Sequence, residues 1–211
     1  MLKLRSIKNI LVRASFVPRY IFWTVFKSGW IQSVLNVYPV NRNYEAIPWF
    51  TYGCTQFVEN RLNKTMAVLE FGSGNSTKWF ASRCKEVLSI EGSIDFYNSF
   101  KTELYDIENV EYCLIESDQD HFKWVNESKR EFQVVIIDGT NRINCAKNCL
   151  KWLSSDGIII WDDSERTQYE EGYEFLAKCG FKRLDYYGHG PYSPNPWQTS
   201  VFYRSRNCLG I

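Results

Sequence analysis

Two places in this 211-residue chain gather side chains able to do chemistry. In the first, Asp138 closes the apolar run 132–137, and Asp162 and Asp163 close the run 157–161. Both runs are near-continuous Val/Ile, the pattern of parallel strands buried on both faces. The carboxyl ends of neighbouring parallel strands open onto one crevice, so the three acids are expected to converge. Carboxylates brought together without matching bases repel, and a hard cation such as Mg²⁺ or Ca²⁺ resolves this through oxygen ligation. The alternative is that Asp162 and Asp163 cap their loop while Asp138 bonds a cofactor or the backbone. Arg142 follows closely; too basic to accept a proton, it either clamps an anionic substrate or pairs with an acid. Arg166 poses the same choice. His189, in the loop Gly-His-Gly-Pro, either deprotonates an acceptor hydroxyl or packs that loop.

The second place is 67–76, Ala-Val-Leu-Glu-Phe-Gly-Ser-Gly-Asn-Ser. It reads as a strand carrying Glu70, a tight turn through Gly72, Ser73 and Gly74, and a helix start at Asn75 and Ser76. Glycines let a backbone approach a ligand closely. A second apolar run ends in Glu91, 21 positions after Glu70. An acid at about that spacing is placed to accept hydrogen bonds from ribose hydroxyls. The turn is Gly-x-Gly-x-Ser rather than Gly-x-Gly-x-x-Gly, so a nucleoside without a charged linker fits better than a dinucleotide.

This turn with its two acids resembles motif I and the second-strand acid of the class I S-adenosylmethionine-dependent methyltransferases. The resemblance covers about residues 45–205 and implies S-adenosylmethionine as cofactor and a small-molecule or glycan acceptor. It implies cofactor contacts from Glu70, Gly72, Ser73, Gly74, Asn75, Ser76 and Glu91. It also places Asp138 near the methionine end and Ser117 and Asp118 near the adenine edge. The three aspartates further resemble the metal set of the catechol and caffeoyl-CoA O-methyltransferases, in which the metal binds the acceptor hydroxyls; carboxylates around such a metal favour oxygen as the acceptor. There an Asp follows strand four and an Asp-Asn pair follows strand five. Here the pair is Asp-Asp. The family's basic residue shortly after the strand-four Asp is not matched in place: Asn141 stands there, with Arg142 next.

The elements that must position these groups alternate. Helices are expected over 48–63, 76–84, 94–104, 143–153 and 168–179, with Gly180 as a C-cap. Strands are expected around them, ending with 181–187 and 198–203. Strands alternating with helices argue for a parallel sheet. The last two strands are joined by about ten loop residues, too few for a parallel crossover, so strand seven is expected to be antiparallel. The fold class is α/β: a Rossmann-like three-layer sandwich with a seven-stranded, mostly parallel sheet. Trp49 and Tyr52, at the first helix entry, and Trp197, in the loop before strand seven, are placed either to line the acceptor side or to serve as core.

The length suits one domain with a substantial core. Seven cysteines, none in a Cys-x-x-Cys pair, read as reduced thiols of a cytoplasmic protein. Cys145 and Cys149 lie one helical turn apart, as core thiols or half of a metal site. The first 44 residues carry +7 and no acid, which against a whole-chain charge of +1 leaves −6 on the rest. Nucleic acid is therefore not the expected partner. The division expected is a basic, aromatic helical extension over 1–44 and a catalytic domain over 45–211. The extension is too interrupted by Pro18, Arg19, Lys27 and Gly29 to span a bilayer. It packs on the domain, lies on a membrane surface, or acts as a transit peptide. Two other functions compete with methyl transfer: a nicotinamide-dependent oxidoreductase, and a non-catalytic cofactor-binding module docked through residues 1–44.

Overall fold

The computed structural model describes residue 9, residues 12–116 and residues 118–211, and of 118–121 and 128 the backbone alone. Seven strands form one sheet: β1 (Ala67–Phe71), β2 (Glu86–Glu91), β3 (Val110–Leu114), β4 (Phe132–Ile137), β5 (Leu153–Trp161), β6 (Lys182–Gly188) and β7 (Trp197–Tyr203). Their order is β3-β2-β1-β4-β5-β7-β6. The first five strands are parallel to one another, and β7 runs antiparallel to both β5 and β6. The antiparallel seventh strand follows from the short β6–β7 connection.

Side chains alternate across this sheet with the period of two that a strand imposes. Leu69, Phe71, Leu88, Ile90, Val135, Ile137 and Trp161 face one way. There they meet Val125, Cys145 and Leu176, from α6 (Asp118–Ser128), α7 (Arg142–Cys149) and α8 (Glu170–Lys178). Val68, Val87, Val134, Ile136 and Ile158 face the other way, onto Val58 of α3 (Tyr52–Glu59) and Phe80 of α4 (Asn75–Arg83). The β2–β3 crossover helix, α5 (Ile94–Tyr105), packs Tyr97, Phe100 and Leu104 on Tyr112 of β3. Helix α6, which no sequence periodicity announced, makes the crossover from β3 to β4. None of the seven cysteines, all among the described residues, is in a disulfide, and Cys145 and Cys149 lie in the core.

Helix α3 starts at Tyr52 rather than at Pro48. The reason is tertiary. Thr51 N donates to Thr199 Oγ1 at 3.0 Å and Tyr52 N donates to His189 O at 2.9 Å, so the entry segment is pinned to the β6–β7 end before a helix can begin.

Ahead of the sheet lie α1 (Phe16–Ile21), a π-helical turn (Phe22–Lys27) and α2 (Trp30–Asn36). The first two bury no residue. From Gly29 on, the chain is knotted to the body. Ser33 Oγ accepts from Val40 N at 3.0 Å, Ile47 N donates to Pro39 O at 3.2 Å, and Val40 pairs with Ala46 in an antiparallel bridge. The division expected at 44/45 falls inside this knot. Removing residues 1–27 should therefore leave the thermal midpoint unchanged. Removing 1–44 should lower it by roughly 4–8 °C, the scale for about 2 kcal/mol in a chain of this size. Equal midpoints for the two truncations in a calorimetric scan would contradict this.

Candidate functional site

The sheet order reverses between β1 and β4, the switch point where α/β sheets open a ligand crevice. A crevice of about 650 Å³ lies there. Its floor is Gly72, Ser73 and Gly74 after β1, Glu91 after β2, Asp138 and Gly139 after β4, and Asp162 and Asp163 after β5.

The turn after β1 is built by Glu70. Its carboxylate, 1% exposed, accepts from Ser76 Oγ at 2.5 Å, Thr77 Oγ1 at 2.5 Å and Ser89 Oγ at 2.8 Å. Thr77 Oγ1 in turn accepts from Gly74 N at 3.1 Å. Burial pushes the Glu70 carboxyl up to about 7, with the three hydroxyls pulling the other way. Glu70 thus ties the first turn of α4 to β1 and β2 and does not line the crevice, so its expected ligand contact is corrected to a positioning one. Gly72 has φ +96°, and a Cβ there would lie 2.8 Å from Gly139 N. Only glycine allows the tips of β1 and β4 to approach so closely.

Glu91 lines the crevice beside the glycine turn. Its Oε2 accepts from Ser73 N at 3.0 Å and Ser73 Oγ at 2.6 Å, and its Oε1 from Ser93 N at 2.9 Å. These bonds aim the carboxylate while leaving lone pairs for further donors. Asn75 lines the crevice but donates Nδ2 to Pro39 O at 2.7 Å. That bond makes Tyr38 and Pro39 a crevice wall. Phe96 and Phe100, 5.5 Å apart between ring centroids, complete it, with Tyr38 edge-on to Phe100 at 5.1 Å. The i, i+4 spacing of the two Phe on α5 was a readable signal; the arrival of Tyr38 was not. Ser117 lies outside the described residues, as do the side chains of Asp118 and His121.

The three aspartates converge as expected: one oxygen from each lies within 4.8 Å of the others. They are not without bases. Arg142 Nη1 lies 3.2 Å from Asp163 Oδ2, and its Nη2 donates to Asp138 Oδ1 at 3.0 Å. The same guanidinium donates to the carbonyls of Gly139 at 2.9 Å, Asp162 at 2.6 Å and Asp138 at 2.9 Å. Arg166 reaches Asp163 Oδ2 at 2.9 Å. Arg142 is buried and does not line the crevice, so the catalytic or substrate-clamping reading gives way to the acid-pairing one. Asp162 Oδ1 accepts from Thr199 Oγ1 at 2.5 Å and Trp197 Nε1 at 3.1 Å, two donors delivered by the antiparallel strand. Burial pushes the Asp138 carboxyl up to about 6 and the Asp162 carboxyl well above its usual range. The donors above take Oδ1 of Asp138, Oδ1 of Asp162 and Oδ2 of Asp163. Arg142 and Arg166 offset two of the three carboxylate charges, so repulsion alone does not call for a cation. The oxygen-only donor set still fits a hard cation.

Trp49, Trp197 and Arg166 line the other half of the crevice, with Glu165, Ser193 and Asn195. Trp49 meets Tyr192 edge-on at 5.2 Å. Tyr52 and His189 do not line it. Tyr52 packs against the core, a consequence of the late start of α3. His189 is exposed, its carbonyl held by Tyr52 N, so the expected base lies outside the crevice.

No family model and no curated protein matches the chain by sequence. Solved structures match the fold. An O-methyltransferase from Bacillus cereus in complex with SAH has a TM-score of 0.63 at 18% identity over 89% of this chain and 97% of that one. The O-methyltransferase TomG from Streptomyces achromogenes, in complex with SAM, has a TM-score of 0.57 at 16% identity over 70% of this chain and 77% of that one. An rRNA methylase from Streptococcus thermophilus has a TM-score of 0.54 at 19% identity over 71% and 93%. The chain has the class I methyltransferase fold. With an rRNA methylase among its neighbours, the fold does not separate small-molecule from nucleic-acid acceptors. Among the described residues, no helix is long and apolar enough to cross a membrane.

Proposed function

We propose that this protein is an S-adenosylmethionine-dependent methyltransferase acting on a small molecule or glycan, at oxygen. The observation that carries the reading is Glu91. It is oriented by Ser73 and Ser93 beside a glycine turn whose backbone is open to the crevice. That is an arrangement for a ribose and the chain attached to it. Bound there, S-adenosylmethionine supplies an electrophilic methyl group. Glu91 accepts from the ribose hydroxyls, and the Gly72–Gly74 turn admits the methionine portion. The crevice holds the acceptor oxygen in line, and such positioning supplies much of the acceleration. Asp138, at the crevice floor with its carboxyl near 6, accepts the acceptor's proton. Asp163, paired with Arg142 and Arg166, and Asp162, bonded by Thr199 and Trp197, border the acceptor. Even with Arg142 and Arg166 set against them, Asp138, Asp162, Asp163 and Glu165 outnumber the cations around this half, which disfavours anionic acceptors and so argues against nucleic acid.

If a divalent cation is held, Asp138, Asp162 and Asp163 hold it, and it would polarise the acceptor hydroxyl. Activity should then fall in EDTA and return with Mg²⁺. Undiminished turnover in EDTA would leave proton acceptance by Asp138 as the whole role of the cluster. Glu91→Ala should weaken S-adenosylmethionine binding by about 1–3 kcal/mol, the scale for leaving hydrogen-bonding groups unpaired. Titration calorimetry of the folded variant checks this, and unchanged affinity would remove Glu91 from the ribose. The same calorimeter separates this reading from its rivals. NAD heat without S-adenosylmethionine heat would favour an oxidoreductase. Cofactor binding without turnover on any of a panel of hydroxylated acceptors would favour a non-catalytic module.

A further inference from the structure

The stretch 12–27 stands apart from the body. Phe16, Val17, Tyr20, Phe22, Trp23 and Phe26 are all exposed, between 47% and 67%. The π-helical turn clusters its rings: Phe22 stacks on Phe26 at 5.9 Å and meets Trp23 at 6.4 Å, with Lys27 Nζ over both Phe22 and Trp23. Apolar surface on this scale marks a binding face. We propose that residues 12–27 dock this protein on the surface of an anionic phospholipid bilayer, rings in the interfacial layer and Arg13, Arg19 and Lys27 on headgroup phosphates.

Charge selects this occupant. The stretch carries three cations, and the whole of 1–44 contains no acid. A second copy packed face to face would bring like charges together, whereas an anionic leaflet attracts each of them. Aromatic rings with interspersed Lys and Arg suit the interface, where the ring bodies are buried and the cations stay with the headgroups. Sixteen residues, roughly 24 Å of helix, with three cations lie along the bilayer rather than across it. The placement also connects to the site. Trp30 Nε1, one helix further on, donates to Ser193 O at 2.9 Å, and Tyr38 and Pro39 form the crevice wall. Docking would set the crevice beside the membrane surface. The inference does not depend on the reaction proposed above.

The test is co-sedimentation of the full chain with vesicles of phosphatidylcholine alone and of phosphatidylcholine containing phosphatidylserine. Association should require phosphatidylserine and weaken with salt. Changing Arg13, Arg19 and Lys27 together to Gln should reduce it roughly a hundredfold at low salt. Trp23→Ser with Phe26→Ser should reduce it as well, with the thermal midpoint unchanged because neither ring is buried. On the unaltered protein, brominated phosphatidylcholine mixed with phosphatidylserine should quench tryptophan fluorescence, and Trp23→Phe should remove most of that quenching. Sedimentation that is equal with and without phosphatidylserine, or equal for all variants, would overturn the proposal. So would a dimer in sedimentation velocity that dissociates in Trp23→Ser, which would assign the stretch to a second copy.

Discussion

Arg142→Met is expected to destabilise the fold by about 3–5 kcal/mol at neutral pH, the range for removing one partner from a buried ionic cluster. The guanidinium satisfies three main-chain carbonyls and two carboxylates at the ends of β4 and β5. Without it, Asp138, Asp162 and Asp163 keep only the more exposed Arg166. The loss should depend on pH. In the unaltered protein burial already raises Asp138 to about 6, above its unfolded value, while Arg142 holds it down. An acid raised on folding favours the folded state most below its unfolded pKa, and that advantage is lost as pH rises through the folded value. Removing Arg142 raises the carboxyls further and extends this window upward. The deficit of the variant should therefore shrink as pH falls from 7 towards about 5, where protonated acids need no cation. Urea unfolding at the two pH values measures both quantities. A deficit that grows on acidification would show that the aspartates are not what Arg142 compensates. Arg142→Lys should recover only part of the loss, since an ammonium cannot reproduce the fork.

Gly72→Ala is the other change with a large expected effect. A Cβ there would approach three backbone atoms, Gly139 N at 2.8 Å, Asp138 C at 3.0 Å and Gly139 Cα at 3.0 Å, and the residue sits at φ +96°. None of these contacts can relax by a side-chain rotation; the tips of β1 and β4 must separate. Strain of this backbone kind costs on the order of 1–3 kcal/mol, and the displaced tips carry both Asp138 and the glycine turn. We expect a stability loss near the top of that range and loss of measurable cofactor binding. Gly180 supplies the control: its φ is +83° with nothing within 4 Å of the added atom. Gly180→Ala should show the cost of the dihedral alone and bind cofactor normally. If both variants bind equally well, the close approach of the strand tips is not what shapes the site.

The local pattern of residues announced much of this architecture. Continuous Val/Ile runs placed β4 and β5 inside, and the short β6–β7 connection set the antiparallel strand. The glycine turn and the 21-residue spacing to Glu91 put both on one crevice. These features were legible because each depends on residues close together in the sequence. Asp138, Asp162 and Asp163 were legible for a related reason, since each directly follows a strand whose end must face the switch point.

What residues 67–91 and the strand pattern determined by themselves is therefore the fold, its crevice and the acids on its floor. Tertiary structure alone decided what those acids meet. Arg142 neutralises them because α7 returns its first turn beneath the ends of β4 and β5. Thr199 and Trp197 bond Asp162 because β7 lies beside β5. Tyr38 and Pro39 wall the crevice because Asn75 captures a carbonyl 36 residues upstream. His189 is outside because its carbonyl is held by Tyr52 N. In each case the partner lies on a distant element, and sequence spacing carries no information about a distance set by the path of a loop.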